Sequence, residues 1–393
     1  MIKMRKRRFI LLICGVVIAT LLVASVGFFA VTQAKDMIFI SKEDYNVLNE
    51  VGNRYGKLYS IQKTVEEQFL WDIDQEAQME ALYKALLDSL NDKYSGYMGK
   101  SEYEEWNNYI QGVFTGVGVV FIEETEGRFV VTKVISGSPA EGAGLKIGDV
   151  LLKVDGKAYD DSEEMALHIR GEEGSSVKLT YRRGNKVREA KMVRAQVEDP
   201  SVYAELIDKK YGYIRITAFE RGTAEQFKQE LAAFETKGVK GVVIDLRNNG
   251  GGLVDAGIEI ADMLLPECTI THTEDKNGKT KYYNSKEDCT DLKYVVLVNG
   301  HSASTSEIVA AAIKDNKGGS LVGTTTFGKG IIQGTVEFKD GSAIKLTIQQ
   351  YFSPNDKKIH GIGIKPDYEV KMSKKAKSDI QLEKALKLLG DKR

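Results

Sequence analysis

The chain has 393 residues, of which 42% are hydrophobic and 28% are charged. This composition is that of an ordinary globular protein, and the presence of only 5 prolines argues against long disordered linkers. The length predicts two or three domains rather than one, and a net charge of −1 gives no general attraction to nucleic acid.

The first predicted element is a transmembrane helix. An uncharged stretch runs from Phe9 to Ala34, and its part from 9 to 31 would form a helix of about 34 Å, enough to cross a hydrocarbon core of about 30 Å. The basic residues before it predict that residues 1–34 form a cytoplasmic flank and a single-pass anchor, with the rest of the chain outside the cytoplasm. These basic residues are Lys3, Arg5, Lys6, Arg7 and Arg8.

Two other interpretations of this stretch compete with the anchor. A cleaved signal peptide has a shorter apolar stretch, about 7 to 15 residues, and would end here at Thr32-Gln33-Ala34. A lipoprotein signal at Cys14 is disfavoured because the apolar stretch before it is short and Ile13 is not a small residue. The length favours an uncleaved anchor, and whether the segment is trimmed stays open.

Helical patterns fill the next predicted region, 35–111. Between Ser41 and about Tyr109, apolar residues recur at three- and four-residue steps, which is typical of helices with an apolar face. These positions carry no obvious chemistry, so their predicted role is packing against the rest of the chain or against a second copy in a homodimer. They include Val47, Val51, Tyr55, Leu58, Met79, Leu82, Leu86 and Leu90.

The region 112–197 is predicted to be a small β module. Short apolar runs are separated by glycine turns, and their spacing is that of strands. The predicted strands are 117–122, 129–134, 150–154 and 177–181.

Two glycine-rich signals relate this module to a known family. Gly116-Val117-Gly118-Val119 opens a strand, and the segment 136–150 runs through a short helix and a glycine turn into the next strand. These segments resemble a PDZ domain, which implies that Gly116, Val117, Gly118 and Val119 form the loop that binds a terminal carboxylate through backbone N–H groups. Arg170, after the predicted helix 161–169, is a candidate for charge recognition in the peptide groove. The alternatives are that the glycines only make tight turns and that Arg170 is solvated.

The remaining region, 198–393, alternates strands and helices, which predicts an α/β core. The predicted order is strand 213–219, helix 224–234, strand 239–246, helix 254–265, strand 294–299 and helix 304–313, followed by strands 331–338 and 343–351 and a helix at 380–389. Cys268 and Cys289 bracket a polar insertion in this core. Outside the cytoplasm they could form a disulfide, and two free thiols remain the alternative.

Four motifs in this core carry a second resemblance. They are DLRNNGGG at 245–252, SASTSEI at 302–308, FGKGIIQ at 327–333 and GIGIKPD at 361–367. In this order, after a PDZ-like module, they resemble the carboxy-terminal processing (tail-specific) peptidases over about residues 40–390. The resemblance implies a crotonase-like peptidase core that needs no cofactor, with Ser304 as the nucleophile, Lys329 as the base and Gln333 as the residue that orients the lysine. Thr305 departs from the family pattern, which more often has alanine there, and little harm is expected because only its backbone N–H would take part.

The position of Ser304 suits a nucleophile. It precedes a predicted helix, whose unpaired N–H groups and dipole favour negative charge at the hydroxyl. Gly251, in the glycine loop that follows strand 242–246, and Thr305 are expected to supply the N–H groups of an oxyanion hole. The alternative is that Ser304 and Glu307 only form a capping box.

Lys329 must lose its proton to act as a base. The ordinary lysine pKa is about 10.4, so a dry site has to depress it by roughly 3 units. The neighbours of Lys329 in the FGKG segment predict a tight, apolar setting. Gln333, four residues further along a strand, is expected to face the same side and to hydrogen-bond the lysine amine, although it could be an ordinary polar strand residue.

Other site chemistries fit the sequence less well. The glycine loop is not followed by the Lys-Ser/Thr ending of a P-loop. His301 is the histidine nearest to Ser304, but three residues earlier at a strand exit is a poor place for a base that must approach the hydroxyl from the side. None of the four histidines, which also include His168, His272 and His360, belongs to a cluster with metal-ligand spacing, so no metal site is predicted.

The sequence therefore predicts a membrane-anchored serine endopeptidase that acts outside the cytoplasm. Its partners would be protein or peptide C-termini, held by the PDZ module, which is also expected to control access to the site. Two rivals from other classes are a membrane-tethered PDZ adaptor with an inert core and an acyl transferase for a small molecule. The substrate, the cleavage specificity, the oligomeric state and the resting conformation are not determined by the sequence.

Overall fold

The structure is a computed structural model that describes residues 6–34, 40–111, 113–125, 127–372 and 378–390. It divides into two compact units, 1–79 and 80–393. Among the predicted features, the basic residues Lys3 and Arg5 and the boundary residue Gly112 lie outside the described residues.

The first unit is helical. Helix α1 (Lys6–Ala34) is, within the described residues, the one helix whose length and apolar composition would let it cross a membrane, over Lys6–Val31. Helix α2 (Lys42–Gln68) begins after Ser41, whose hydroxyl oxygen accepts a hydrogen bond from the N–H of Asp44 and so caps the helix. No described residue of α2 is buried. Helix α3 (Gln75–Asp88) leads into the second unit.

A β module follows the first elements of the second unit. Five antiparallel strands form one sheet in the order β3-β4-β5-β6-β7, and β2 pairs with β8 in a second, two-stranded sheet. Phe129, Leu151, Met165 and Leu179 lie in its own apolar core. Two elements precede the module, β1 (Gly96–Met98) and α4 (Lys100–Gln111). The module itself consists of β2 (Val113–Gly116), β3 (Val119–Thr125), β4 (Arg128–Val134), α5 (Pro139–Gly142), β5 (Val150–Val154), α6 (Ser162–Ile169), β6 (Ser176–Arg183), β7 (Lys186–Val193) and β8 (Ala195–Glu198).

The rest of the second unit is an α/β core built on two sheets. Its elements are β9 (Val202–Ile207), β10 (Tyr211–Ile216), α7 (Thr223–Thr236), β11 (Val242–Asp245), α8 (Val254–Leu264), β12 (Thr269–Asp275), β13 (Thr280–Asn284), β14 (Tyr294–Val298), α9 (Thr305–Asp315), β15 (Ser320–Gly323), β16 (Ile331–Glu337), β17 (Ala343–Phe352), β18 (Tyr368–Glu369) and α10 (Ile380–Gly390).

The central sheet is covered on both faces. Its order is β18-β15-β14-β11-β10-β9, and all neighbours are parallel except β9 and β10. Val242 and Ile244 pack in the cluster that contains α7, α8 and α9, whereas Val243 between them packs with Ala385 and Leu389 of α10. Successive side chains of a strand point to opposite faces, so a strand with two covered faces is apolar throughout. The loops after β11 and β14 emerge at the carboxyl edge of this sheet, where an α/β fold presents its site.

The second sheet is built around β17. β16 pairs along one edge of β17, while β1 and β12 pair with opposite ends of the other edge, and β13 follows β12. Lys329 lies two residues before β16. This sheet therefore brings three segments to the same part of the unit. They are the loop before β16 that contains Lys329 (the lysine loop), β16 itself and the distant β1.

Most predicted elements are present, with ends shifted by up to three residues. The strand β1 was missed, since it lies in a region predicted to be helical and owes its form to pairing with β17. The polar insertion forms the hairpin β12–β13 between Cys268 and Cys289, and both thiols are free.

Candidate active site

A cleft at the carboxyl edge of the central sheet brings the predicted site residues together. Its volume of about 570 Å³ suffices for several side chains of a peptide. Ser304, Lys329, Gln333 and Gly251 all line it. No histidine of the described residues lines the cleft, and His301 is exposed. Other lining residues are Trp106, Ile110, Phe219, Glu220, Leu253, Asp255, Ile331, Ile332, Lys345 and Gln349.

Ser304 occupies a strained turn between β14 and α9. Its φ of 57° and ψ of −118° are values that residues other than glycine rarely adopt. It is the N-cap residue of α9, so its side chain lies beside the first N–H groups of the helix and the positive end of the helix dipole. Because α9 is buried from Thr305 to Ile313, this turn cannot relax without moving the core.

A buried carboxylate joins the serine turn to the lysine loop. Glu307 has 0% exposure, and one of its oxygens accepts hydrogen bonds from the backbone N–H groups of both Ser304 (2.9 Å) and Lys329 (2.8 Å). Its other oxygen accepts from Gly328 N–H at 2.7 Å and from the Thr326 hydroxyl at 2.5 Å. The predicted capping partner of Ser304 therefore fixes the backbone of two segments that are far apart in sequence.

Gly251 fits against Ser304 because it has no side chain. Its φ is +102°, and a Cβ there would lie 2.7 Å from Ser304 Cβ and 3.0 Å from Thr305 N. This places the glycine loop against the start of α9, as expected for an oxyanion hole. In this structure, however, the Gly251 N–H donates to Asn249 Oδ1 at 2.8 Å. The role of Gly251 as an oxyanion donor stays a prediction, and it requires that hydrogen bond to be exchanged for one to substrate.

Thr305, which stands where the family more often has alanine, is accommodated by its neighbours. Thr305 is fully buried, and its hydroxyl donates to the Gly252 carbonyl at 2.9 Å. Its methyl group occupies the space above Gly257 of α8, where a Cβ would lie only 2.3 Å from Thr305 Cγ2. A glycine on the neighbouring helix thus makes room for the larger residue.

The surroundings of Lys329 lower its pKa. The main cause is burial, which disfavours the charged amine, and the second is the positive charge of Lys345 in the same cleft. The carboxylates of Asp92 and Glu307 act in the opposite direction. The amine also lies 4.6 Å from the centre of the Tyr94 ring. The direction of the shift is the one that a lysine base requires.

Gln333 lines the cleft, but for a different reason from the one predicted. Lys329 precedes β16, and the register of β16 shifts between Ile332 and Gln333, so strand alternation does not relate the two side chains. The Gln333 amide donates to Thr347 Oγ1 at 3.2 Å. No hydrogen bond joins Gln333 to Lys329 in the described part of the chain, so its orienting role stays a prediction.

Some residues at the site had no sequence signal that singled them out. The Tyr351 hydroxyl lies between the carbonyl oxygens of Ser304, at 3.0 Å, and of Lys329, and therefore ties the same two segments together from β17. Burial raises the pKa of Tyr351 well above its usual range, so it remains a donor. Tyr94 belongs to a loop that the periodicity assigned to a helical region.

The predicted carboxylate-binding loop lies between β2 and β3. Gly118 has a φ of +78°, and a Cβ would lie 2.2 Å from Ser138 Cβ, so only glycine fits. The carbonyls of Val117 and Gly118 accept hydrogen bonds from Ala140 and Ile135. Because the peptide unit is trans, the N–H of Gly118 points away from that side.

Arg170 lies beside this loop. Its Cα would be 3.9 Å from a Cβ on Gly116. The guanidinium is half-exposed and lies 3.8 Å from the carboxylate of Glu105 on α4. Binding of a peptide by Arg170 stays a prediction.

Comparisons with known proteins relate two regions of the chain to known families. A PDZ domain model matches residues 115–193, and a model of peptidase family S41 matches residues 210–370. The chain is 33% identical over 375 residues to a probable CtpA-like serine protease of Staphylococcus haemolyticus, covering 94% of this chain and 73% of that protein. It is 34% identical over 333 residues to the carboxy-terminal processing protease CtpA of Bacillus subtilis, covering 83% and 71%. The solved structure of a photosystem II D1 C-terminal processing protease is 27% identical, with a TM-score of 0.51 over 90% of this chain and 98% of that one.

Proposed function

This chain belongs to peptidase family S41 and is a C-terminal processing serine protease with a PDZ domain, and we propose that α1 anchors it in the membrane so that it cleaves protein C-termini outside the cytoplasm. The length and apolar composition of α1 support the anchor. The basic residues at its start, Lys6, Arg7 and Arg8, support a cytoplasmic N-terminus.

The proposed chemistry starts with the neutral amine of Lys329. It takes the proton of the Ser304 hydroxyl as the oxygen attacks the carbonyl carbon of the scissile peptide bond. The tetrahedral oxyanion is stabilised by the backbone N–H of Thr305 and by a donor of the glycine loop, with Gly251 as the candidate. The Lys329 ammonium then gives its proton to the departing amine, which leaves an ester on Ser304.

Hydrolysis of this ester repeats the same proton transfers with water. Lys329 takes a proton from a water molecule as the water oxygen attacks the ester carbonyl, and it returns the proton to Ser304 as the acid product leaves. The single observation that carries the proposal is the Glu307 carboxylate, which holds the backbones of Ser304 and Lys329 to one point beside a shared cleft.

The PDZ module is proposed to hold the C-terminus of the substrate. The loop Gly116, Val117, Gly118 and Val119 would bind the terminal carboxylate, and Arg170 would add a positive charge beside it. A peptide with a free C-terminus is therefore expected to be cleaved faster than the same peptide with a C-terminal amide.

The activity is tested on the full chain in detergent, with fluorescein-labelled casein as an unfolded substrate. Ser304→Ala and Lys329→Ala are expected to abolish cleavage, while Ser101→Ala and Lys339→Ala, at exposed positions, serve as matched controls. Mass spectrometry of the products, with free and amidated peptide pairs, locates the cut and tests tail recognition. Cleavage that survives in both site variants would overturn the proposed mechanism at Ser304 and Lys329. Tail binding without any cleavage by the unaltered chain would favour an adaptor instead.

The anchor is tested separately in membranes. Carbonate extraction and N-terminal sequencing of the mature protein distinguish an uncleaved anchor from a removed signal sequence. We expect the protein to stay in the membrane pellet with its N-terminus intact. Loss of the first residues up to about Ala34 would contradict the anchor.

A further inference from the structure

A four-residue loop before the PDZ module lies against Lys329, the candidate base. This loop, Asp92–Ser95, is the last part of the connection between α3, which ends at Asp88, and β1, and it lies outside both matched family segments, 115–193 and 210–370. The ring of Tyr94 has its centre 4.6 Å from Lys329 Nζ, which is within the range of a cation–π contact. The base therefore has an aromatic neighbour that is more than 200 residues away along the chain.

The loop is anchored to the middle of β17. Residues 343–345 of this strand pair with β1 and residues 349–352 pair with β12, so Thr347 faces a gap between two partners on that edge. Ser95 Oγ fills the gap by accepting the Thr347 N–H at 2.9 Å, and the Thr347 hydroxyl donates to Asp92 at 2.6 Å. Asp92 also accepts from the Ser95 hydroxyl at 2.7 Å and from the Tyr94 N–H at 3.1 Å. These hydrogen bonds fix the backbone that carries Tyr94.

The hydrogen bonds that hold this loop also connect it to Gln333, the second candidate residue on the lysine side of the cleft. Thr347 Oγ1 accepts a hydrogen bond from the Gln333 amide at 3.2 Å while it donates to Asp92. One threonine hydroxyl thus connects the loop to Gln333, and the Tyr94 ring connects it to Lys329. Both predicted residues on the base side of the cleft are supported by the Asp92–Ser95 loop.

We propose that the Asp92–Ser95 loop is part of the catalytic machinery and that Tyr94 is a positioning residue, whose ring face holds the Lys329 amine and stabilises the ammonium that forms when Lys329 takes the Ser304 proton. This inference rests on the proposed role of Lys329 as the base. The face of an aromatic ring carries a negative quadrupole potential, so it attracts an ammonium more than a neutral amine. The contact therefore strengthens as the reaction proceeds, which is the condition for lowering the barrier.

Several charges surround the lysine and must be considered with the ring. Asp92 and Lys93 come from the loop itself, Glu307 from α9 and Lys345 from β17. Lys93 also lies 4.9 Å from the Tyr94 ring centre and 5.5 Å from that of Phe327, and His360 acts on Asp92. Substitutions of Tyr94 by apolar residues leave all of these charges in place, so they report on the ring alone.

The test compares Tyr94→Phe with Tyr94→Leu in the full chain, with fluorescein-labelled casein as substrate over a range of pH. Phenylalanine keeps the ring face, and leucine keeps apolar bulk without it. The Leu variant is expected to have a plateau kcat about 3- to 30-fold below that of the Phe variant. The pH at which its kcat increases towards the plateau is also expected to move to a lower value, because the Lys329 ammonium loses a stabilising contact. KM should stay the same. Tyr97→Leu is the matched control, since Tyr97 lies on β1 and packs on Tyr83 with ring centres 5.3 Å apart.

A second readout removes any dependence on the substrate. The rate at which a fluorophosphonate labels Ser304 should fall in the Leu variant and be largely restored in the Phe variant. Equal plateau rates and equal pH profiles for the two variants, at equal thermal stability, would overturn the inference. If Lys329→Ala itself keeps activity, the proposed function fails. If Lys329→Ala is inactive and the Tyr94 pair is indistinguishable, only the role of the loop fails.

Discussion

The two sides of the cleft are built differently. On the serine side, Ser304, the glycine loop and α9 are close in sequence to the central sheet and packed into its core, with α9 buried over nine consecutive residues from Thr305 to Ile313. On the lysine side, Lys329 and Gln333 depend on residues from a distant loop and from β17. The proposed nucleophile Ser304 is thus held by local packing, whereas the pKa of the proposed base Lys329 is shifted by groups from other parts of the chain.

Because of this difference, substitutions on the two sides of the cleft should have different effects. A change on the serine side removes contacts within the core and should lower both the free energy of unfolding and the activity. A change on the lysine side should shift the pH dependence of activity with little loss of stability. The predictions below test whether that division holds.

The largest effect is expected for Glu307→Gln, which acts on the link between the two sides. In the unaltered protein, three backbone N–H groups and one hydroxyl donate to the buried Glu307 carboxylate. Glutamine would place its own N–H donors against some of these groups. Leaving buried donors unpaired costs about 1–3 kcal/mol each, so the free energy of unfolding should fall by about 3 kcal/mol or more, and activity more than tenfold. Chemical denaturation and casein cleavage measure the two losses.

The matched control for that change is Glu225→Gln on α7. Glu225 occupies the same third position of its helix as Glu307 does in α9, but it is exposed. Its substitution should change the free energy of unfolding by about 0.5 kcal/mol or less. Equal losses for the two variants would show that the buried carboxylate has no special role.

On the serine side, Gly257→Ala is expected to have a smaller effect on stability, and its sign should depend on the residue at position 305. Gly257→Ala should destabilise the protein by about 1–3 kcal/mol because the new methyl group meets the Thr305 side chain. In a Thr305→Ala background the same substitution should be stabilising by up to about 1 kcal/mol, since alanine is the better helix former. Free energies of unfolding for the four proteins of this double-mutant cycle measure the coupling. Additive effects would mean that the two residues do not compensate each other.

The smallest effect on stability, with a clear effect on pH dependence, is expected for Lys345→Met. Burial is the main cause of the lowered pKa of Lys329 and remains, but the repulsion by Lys345 is lost, so the pKa of Lys329 should rise. The rise of kcat/KM with pH should then move to higher pH, and activity at neutral pH should fall. Lys339→Met, at an exposed turn, should leave the profile in place. A profile that moves to lower pH in the Lys345 variant would contradict this account.

The lowered pKa also predicts how Lys329 affects stability. Between the lowered folded pKa and the unfolded value of about 10.4, the unfolded chain binds the proton more tightly than the folded one, so the cost of burying Lys329 decreases as pH rises. Lys329→Met should therefore be more stable than the unaltered protein at neutral pH, and this advantage should disappear above about pH 10.4. This result would show that burial of Lys329 lowers the free energy of unfolding at neutral pH.

Much of the site could be predicted because its signals are local. The serine before a helix, the glycine loop after a buried strand and the glycine-flanked lysine are short motifs, and the structure brings them to one cleft. Gln333 lines the same cleft, but strand alternation does not explain its position, because the register of β16 shifts directly before it. The oxyanion donor stays a prediction, since the Gly251 N–H donates to Asn249 Oδ1 in this structure.

The sequence by itself determined the elements and their α/β order, because these follow from periodicity and turn residues read within short windows. The PDZ module and the candidate reactive side chains were implied by motifs that resemble known families. Only the tertiary structure decided what surrounds the lysine. Tyr94, Asp92, Lys345 and Glu307 are up to about 250 residues apart, and their effect on one amine depends on distance, burial and orientation, which no local pattern encodes. Electrostatic properties of a site are therefore a product of the fold, even where the site residues themselves can be read from the chain.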